Sequence, residues 1–167
     1  RATKRINITN GEKNALSEIV LGNYIPFYFA IKTPMLYVIQ NGGNFVKEAT
    51  TPENIIYMAC SVQQIDKSGF VFYFSDGHAT DVFSIFYNKE KVSKISSLID
   101  WNAITSKYWG GSENLDTKRK KQAEFLLAQD LPTEFIKGYV CYNQNAKDLL
   151  VSYGVHEEHI KIVPKAY

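Results

Sequence analysis

Glu124 stands inside an apolar run, QAEFLLAQ, directly after four cations: Lys118, Arg119, Lys120 and Lys121. A solvated glutamate would sit more easily among the lysines. If the run is a strand, alternate side chains point to opposite faces. Ala123, Phe125 and Leu127 then share one face, and Gln122, Glu124 and Leu126 the other. Two readings follow: an edge strand with a wet outer face, or a carboxylate aimed into a cleft with the cations at its rim to hold an anion. Two more polar residues interrupt apolar surroundings. His78, in FSDGHAT, follows an Asp-Gly break where loops expose functional groups; its alternative is a ring that merely caps the turn. Lys32, in FAIKTPM, is a candidate active-site cation, with a plain surface lysine as its alternative.

Other chemistries lack their signatures. The chain has no glycine-rich phosphate loop and no G-x-S-x-G elbow. No pair of histidines or cysteines has zinc spacing, so no metal is expected. Cys60 and Cys141 both lie in apolar strand-like runs and read as buried free thiols, in keeping with a reducing, cytoplasmic setting. No apolar run approaches a membrane span. The net charge is only +2, so any nucleic-acid binding falls to local patches, at Arg1–Arg5 and Lys118–Lys121.

The elements that must position these residues are mixed. Residues 1–22 carry helical spacing at Ala15, Leu16, Ile19 and Val20, with Gly22 as a stop. A short strand is expected around Tyr24–Phe29. An irregular crossing follows at Ala30–Thr33, then an apolar element at Met35–Ile39 ended by Gly42-Gly43. Ile55–Val62 reads as a strand turning at Lys67-Ser68-Gly69 into another, Phe70–Phe74. Val92, Ile95, Leu98 and Ile99 recur at helical spacing, and Asp100 is a candidate N-cap for a second helix. Trp109–Thr117 reads as a polar loop before the Glu124 strand. Phe135–Tyr142 is a strand, Asn145–Tyr153 a helix capped by Gly154, and His159–Val163 a last strand. Length and order suit one α+β domain.

Three blocks together are more specific than any one residue: YIPFYFAIKTPMLY (24–37), FYFSDGHAT (72–80) and DWNAITSKYW…KRKKQAEFLL (100–127). Their order and spacing resemble the DarT family of DNA ADP-ribosyltransferase toxins from about residue 23 onward. The resemblance implies a split β-sheet around an NAD cleft, with helices packed outside. It implies transfer of ADP-ribose from NAD to a base of single-stranded DNA, with release of nicotinamide. It also implies a macrodomain antitoxin as partner, with no membrane and no metal; a monomer is expected.

Residue by residue, Glu124 matches the family's catalytic glutamate. His78 falls at a substrate-side position and is expected to touch the base or the ribose. Tyr28, Phe29, Met35 and Tyr37 are expected along the NAD cleft. Tyr108 and Trp109 are expected to hold an unpaired base, and Lys118, Arg119, Lys120 and Lys121 to hold DNA phosphates. Two departures matter. Lys32 stands where most relatives have arginine, which keeps the charge and loses the planar fork; thymine or guanine is then the expected acceptor. The family's opening H-[IF]-T segment is absent, so a chain trimmed of that segment is expected. Both departures also feed a rival reading, a catalytically silent nucleic-acid- or partner-binding module that kept the fold. Transfer to RNA or to a protein is a third.

Overall fold

The computed structural model describes residues 2–43 and 45–167; Arg1, part of the expected basic patch at Arg1–Arg5, lies outside them. In chain order the strands are β1 (Arg5–Ile8), β2 (Ser17–Val20), β3 (Ile25–Tyr28), β4 (Tyr57–Cys60), β5 (Phe72–Ser75), β6 (Phe86–Asn88), β7 (Glu124–Leu127), β8 (Ile136–Cys141) and β9 (Ile160–Ile162). The α-helices are α1 (Pro34–Asn41), α2 (Val62–Lys67), α3 (Ile95–Leu98), α4 (Trp101–Thr105), α5 (Leu115–Lys120) and α6 (Gln144–Ser152). The α+β class expected from the sequence is the class observed. The chain divides into two units: the described residues up to Thr33 with Asp66–Leu131, and Pro34–Ile65 with Pro132–Tyr167.

In the first unit four strands run in the order β3-β7-β5-β6, with every neighbouring pair antiparallel. β7 is thus central, and all four of its residues are buried. A central strand covered on both faces reads as an apolar run rather than an alternation, which is why EFLL carries no polar face. This overturns the edge-strand reading. Phe125 stacks on Phe72 with ring centroids 4.7 Å apart and meets Phe27 edge-on at 6.4 Å. On the opposite face Leu126 joins a core with Ile6, Ile8, Ile19, Leu21, Ala79 and Phe86. Glu124, two residues before Leu126, belongs to that second face.

β1 and β2 form an antiparallel ribbon whose isoleucines supply much of this core. The helix expected near Ala15–Val20 is therefore a strand: β-branched Ile19 and Val20 pack well on a pleated surface, and cross-strand pairing outweighs the helical spacing. Phe86–Asn88, which had no expectation, pairs with β5. Trp109–Thr117 is not all loop, since a 3-10 turn at Ser112–Asn114 leads into α5. The Asp100 carboxylate does cap α4, accepting from Ala103 N at 3.0 Å. That bond holds its pKa below the usual carboxylate value, helped by Lys120.

The second unit holds a three-stranded sheet, β4-β8-β9, with β8 antiparallel to β4 and parallel to β9. Its core joins Cys141, Ala146 and Ile160 to Ile56, Tyr139, Leu150 and Val155. Burial pushes the Cys141 thiol up. The apolar element expected at Met35–Ile39 is α1. Residues after β4 coil into α2 rather than turning back, so β4 and β5 lie in different sheets and make no hairpin.

Candidate active site

Glu124 is the first residue of β7 and has no solvent exposure. A buried charge must be hydrogen-bonded to be tolerated, and Glu124 is. Its Oε1 accepts the backbone N–H of Ala79 at 3.0 Å and lies 3.1 Å from His78 Nδ1. Its own N–H donates to Ser75 Oγ at 3.2 Å, and Ser75 Oγ donates to the Gly77 carbonyl at 2.6 Å. The end of β5 therefore ties the carboxylate-bearing strand to the DGHAT loop. Across β7 on the other side, Tyr28 of β3 is the direct register partner of Glu124. Such partners hold their Cβ atoms about 5 Å apart on one face.

The loop that carries His78 is pinned along its length. His78 N donates to the Arg119 carbonyl at 2.9 Å, Asp81 N to the His78 carbonyl at 2.9 Å, and Ser84 Oγ to the same carbonyl at 2.8 Å. Asp76 accepts from Ile85 N at 2.8 Å and from Arg119 Nη1 at 3.1 Å. Gly77 sits directly beneath Arg119 and Ser84, where a Cβ would collide with Nη1 and with Oγ. Ala79, fully buried, fastens the middle of the loop into the β1–β2 core. His78 itself is one-quarter exposed, so its ring bridges a buried carboxylate and the outside.

The four cations separate by role. Lys121 is buried; its Nζ donates to the Ile104 carbonyl at 2.7 Å, and burial pushes its ammonium below the usual lysine range. The Arg119 guanidinium is spent on Asp76 and Asp116. Lys120 bridges Asp116 at 2.8 Å and Asp100 at 3.3 Å, and Asp116 in particular raises its pKa. The four cations of the expected rim thus have different surroundings, because helical turns send successive side chains of α5 to different faces and Lys121 follows the helix. Lys118 is the exposed one. Its Nζ stands 5.8 Å from the ring centre of half-buried Trp109, within cation–π reach.

The other expected site residues scatter. Tyr108 is largely exposed beside Trp109. Phe29 turns its ring edge-on to Trp101, centroids 6.0 Å apart. Lys32 is exposed and adopts φ 53°, a left-handed backbone uncommon outside glycine. Met35 and Tyr37 lie exposed on α1, in the second unit. Thr80, Ser75 and Arg119's structural role drew no sequence expectation. The hydroxyls placed three residues before His78 and two after it were the available signal.

Among the described residues no group of three or more His, Cys, Asp or Glu side chains is placed to hold a metal ion. None of the helices there is long and apolar enough to cross a membrane.

Comparison with known proteins gives this site a setting. A Thermus sp. (strain 2.9) protein described as a DNA ADP-ribosyl transferase is 33% identical over 144 residues, covering 86% of this chain and 61% of the relative. The chain thus spans about three-fifths of that relative's length. The solved structure of Thermus sp. 2.9 DarT with carba-NAD+ superposes with a TM-score of 0.78 at 24% identity, over 98% of this chain and 88% of that one. The same protein with ADP-ribosylated ssDNA gives 0.77 at 23% identity, over 98% and 87%. The family model described as ssDNA thymidine ADP-ribosyltransferase, DarT, matches residues 3–167. This chain belongs to the DarT family.

Proposed function

We propose that the chain transfers ADP-ribose from NAD to a base of single-stranded DNA and releases nicotinamide. The observation that carries this is the Glu124 carboxylate, fixed on a central strand by a backbone N–H and an imidazole. A carboxylate held this way suits a ribose hydroxyl, and Tyr28 across the sheet adds aromatic surface beside it. Bound NAD supplies a glycosidic bond whose cleavage leaves positive charge at the sugar. Glu124, placed against the 2′-hydroxyl, stabilises that charge more strongly than it stabilises intact NAD, which is the condition for acceleration. A strand with both neighbours in place holds such a group more accurately than a loop. His78 faces the acceptor base or ribose. Lys118 and Trp109, with Tyr108 beside them, take the DNA strand by charge and by stacking.

The acceptor is thymine or guanine. The family description favours thymine, and Lys32 in place of the usual arginine keeps guanine in contention, since lysine keeps the charge but lacks the planar fork. On this reading the chain is a cytoplasmic, monomeric toxin. Its partner is a macrodomain antitoxin that removes the mark.

The test is incubation with labelled NAD and single-stranded oligomers of differing base content. Label on thymine- or guanine-containing oligomers is expected, erased by a macrodomain hydrolase. Tight DNA binding with no label and no nicotinamide release would instead favour the silent binding module.

A further inference from the structure

Glu124, His78 and Thr80 form a chain of three side chains. His78 Nδ1 is 3.1 Å from Glu124 Oε1, and His78 Nε2 is 2.9 Å from Thr80 Oγ1. We propose that Thr80 is a positioning residue: its hydroxyl holds the His78 ring so that Nδ1–H points at Glu124. The inference rests on the transferase reading only for its catalytic consequence.

The proton arrangement follows from the partners. In the ionised state that the transferase reading requires, Glu124 can only accept, and the hydrogen bond to Oε1 then places a proton on Nδ1. In the neutral ring Nε2 is then an acceptor, and the Thr80 hydroxyl donates to it. If the ring gains a second proton, the hydroxyl rotates and accepts instead. A hydroxyl serves both states by turning its hydrogen alone. Histidine free in water prefers the proton on Nε2, so this site holds the less favoured tautomer. Nδ1 and Nε2 are distinct, and the bond one makes decides the state of the other.

Thr80 is well placed to act through its side chain alone. Its backbone is fixed separately, because Lys4 Nζ donates to the Thr80 carbonyl. The preceding residue, Ala79, is locked in the core and gives its N–H to the same carboxylate oxygen. Removing the hydroxyl therefore leaves the loop's course intact and frees only the ring. A freed ring can turn about its bonds and lose the contact with Oε1, which removes the imidazole's hold on the carboxylate while the Ala79 N–H bond stays.

The experiment has two arms. Side-chain nitrogen NMR of the apo protein, above the imidazole titration, reads the tautomer of His78. His156→Asn and His159→Asn variants assign its signals. Wild type is expected to show the proton on Nδ1. Thr80→Val is expected to shift the population toward Nε2–H, and Thr80→Ser to restore the wild-type pattern. In the second arm, Thr80→Val loses about tenfold in kcat with KM for NAD little changed, as expected for one positioning hydrogen bond; Thr80→Ser recovers most of it. An unchanged His78 spectrum in a folded Thr80→Val protein overturns the proposal, and so does a shifted spectrum with full turnover. If wild type transfers nothing, the NMR arm still decides the positioning role, so the two failures are told apart.

Discussion

Arg119 Nη1 lies 3.1 Å from Asp76 Oδ1, while the carbonyl of the same arginine accepts the backbone N–H of His78 at 2.9 Å. One residue thus fastens the His78 loop through its side chain and its backbone together. Arg119 is almost buried, and Asp76 is little more exposed. Arg119→Ala would leave Asp76 without its guanidinium in a poorly solvated place. We predict a stability loss of about 2 kcal/mol, read as a lower urea midpoint. An unchanged midpoint would show that the backbone bonds alone hold the loop.

Lys118 and Lys121 carry the same formal charge and have opposite prospects. Lys118→Ala is expected to weaken single-stranded DNA binding and to flatten the plot of log affinity against log salt by about 0.7. Lys121→Met is expected to leave that slope alone, because its amine faces Ile104 and not solvent. Equal slopes in the two variants would return α5 to the role of a uniform basic rim.

Lys121 also makes a prediction about pH. Burial sets its folded-state pKa below the ordinary value of 10.5. Between those two values the unfolded chain binds more protons than the folded one, so this group's contribution to stability rises with pH across that window. Wild type should gain stability there relative to Lys121→Met. Parallel curves for the two proteins would mean that the amine keeps its proton in the fold as readily as in the open chain.

Lys32 separates charge from backbone. Its φ of 53° costs a residue with a Cβ about 1 kcal/mol, and glycine pays none of it. Lys32→Gly should therefore be more stable than Lys32→Ala, since both lose the side chain and only glycine is free of the backbone strain. Both lose the cation, and both should lose transfer. Lys32→Arg should retain turnover, and its base preference tests the link between this position and the acceptor.

Glu124→Gln is nearly isosteric and keeps an oxygen for the Ala79 N–H. We predict a folded protein with its DNA affinity intact and transfer reduced by at least about a hundredfold. Residual turnover within a few-fold of wild type would remove Glu124 from the chemistry.

Much of this site was legible because its parts are local. The Asp-Gly break, the histidine after it and the apolar run around Glu124 are all short-range signals, and the fold brings them together. The Asp100 cap and the Gly154 stop were readable for the same reason. What could not be read was pairing. Ile19 and Val20 have helical spacing, and only the presence of β1 opposite makes them a strand. The Glu124 strand looked like a candidate edge because nothing in one segment tells how many neighbours it has. The partners within the basic cluster were hidden in the same way, since Asp76 and the Ile104 carbonyl, which meet Arg119 and Lys121, come from remote segments. Thr80 was passed over because a threonine in a polar turn is common, and only its distance to Nε2 distinguishes it.

Only Lys121, Gln122 and Ala123 separate α5 from Glu124. Each of their backbone N–H groups is already taken, by the carbonyls of Thr117, Arg119 and Lys120. Such a joint has no slack to absorb an insertion or a deletion. One residue more or fewer would rotate the strand's whole alternation by half a period and turn the carboxylate toward the phenylalanines. The length of this joint therefore sets which way the carboxylate faces, whatever side chains the joint carries.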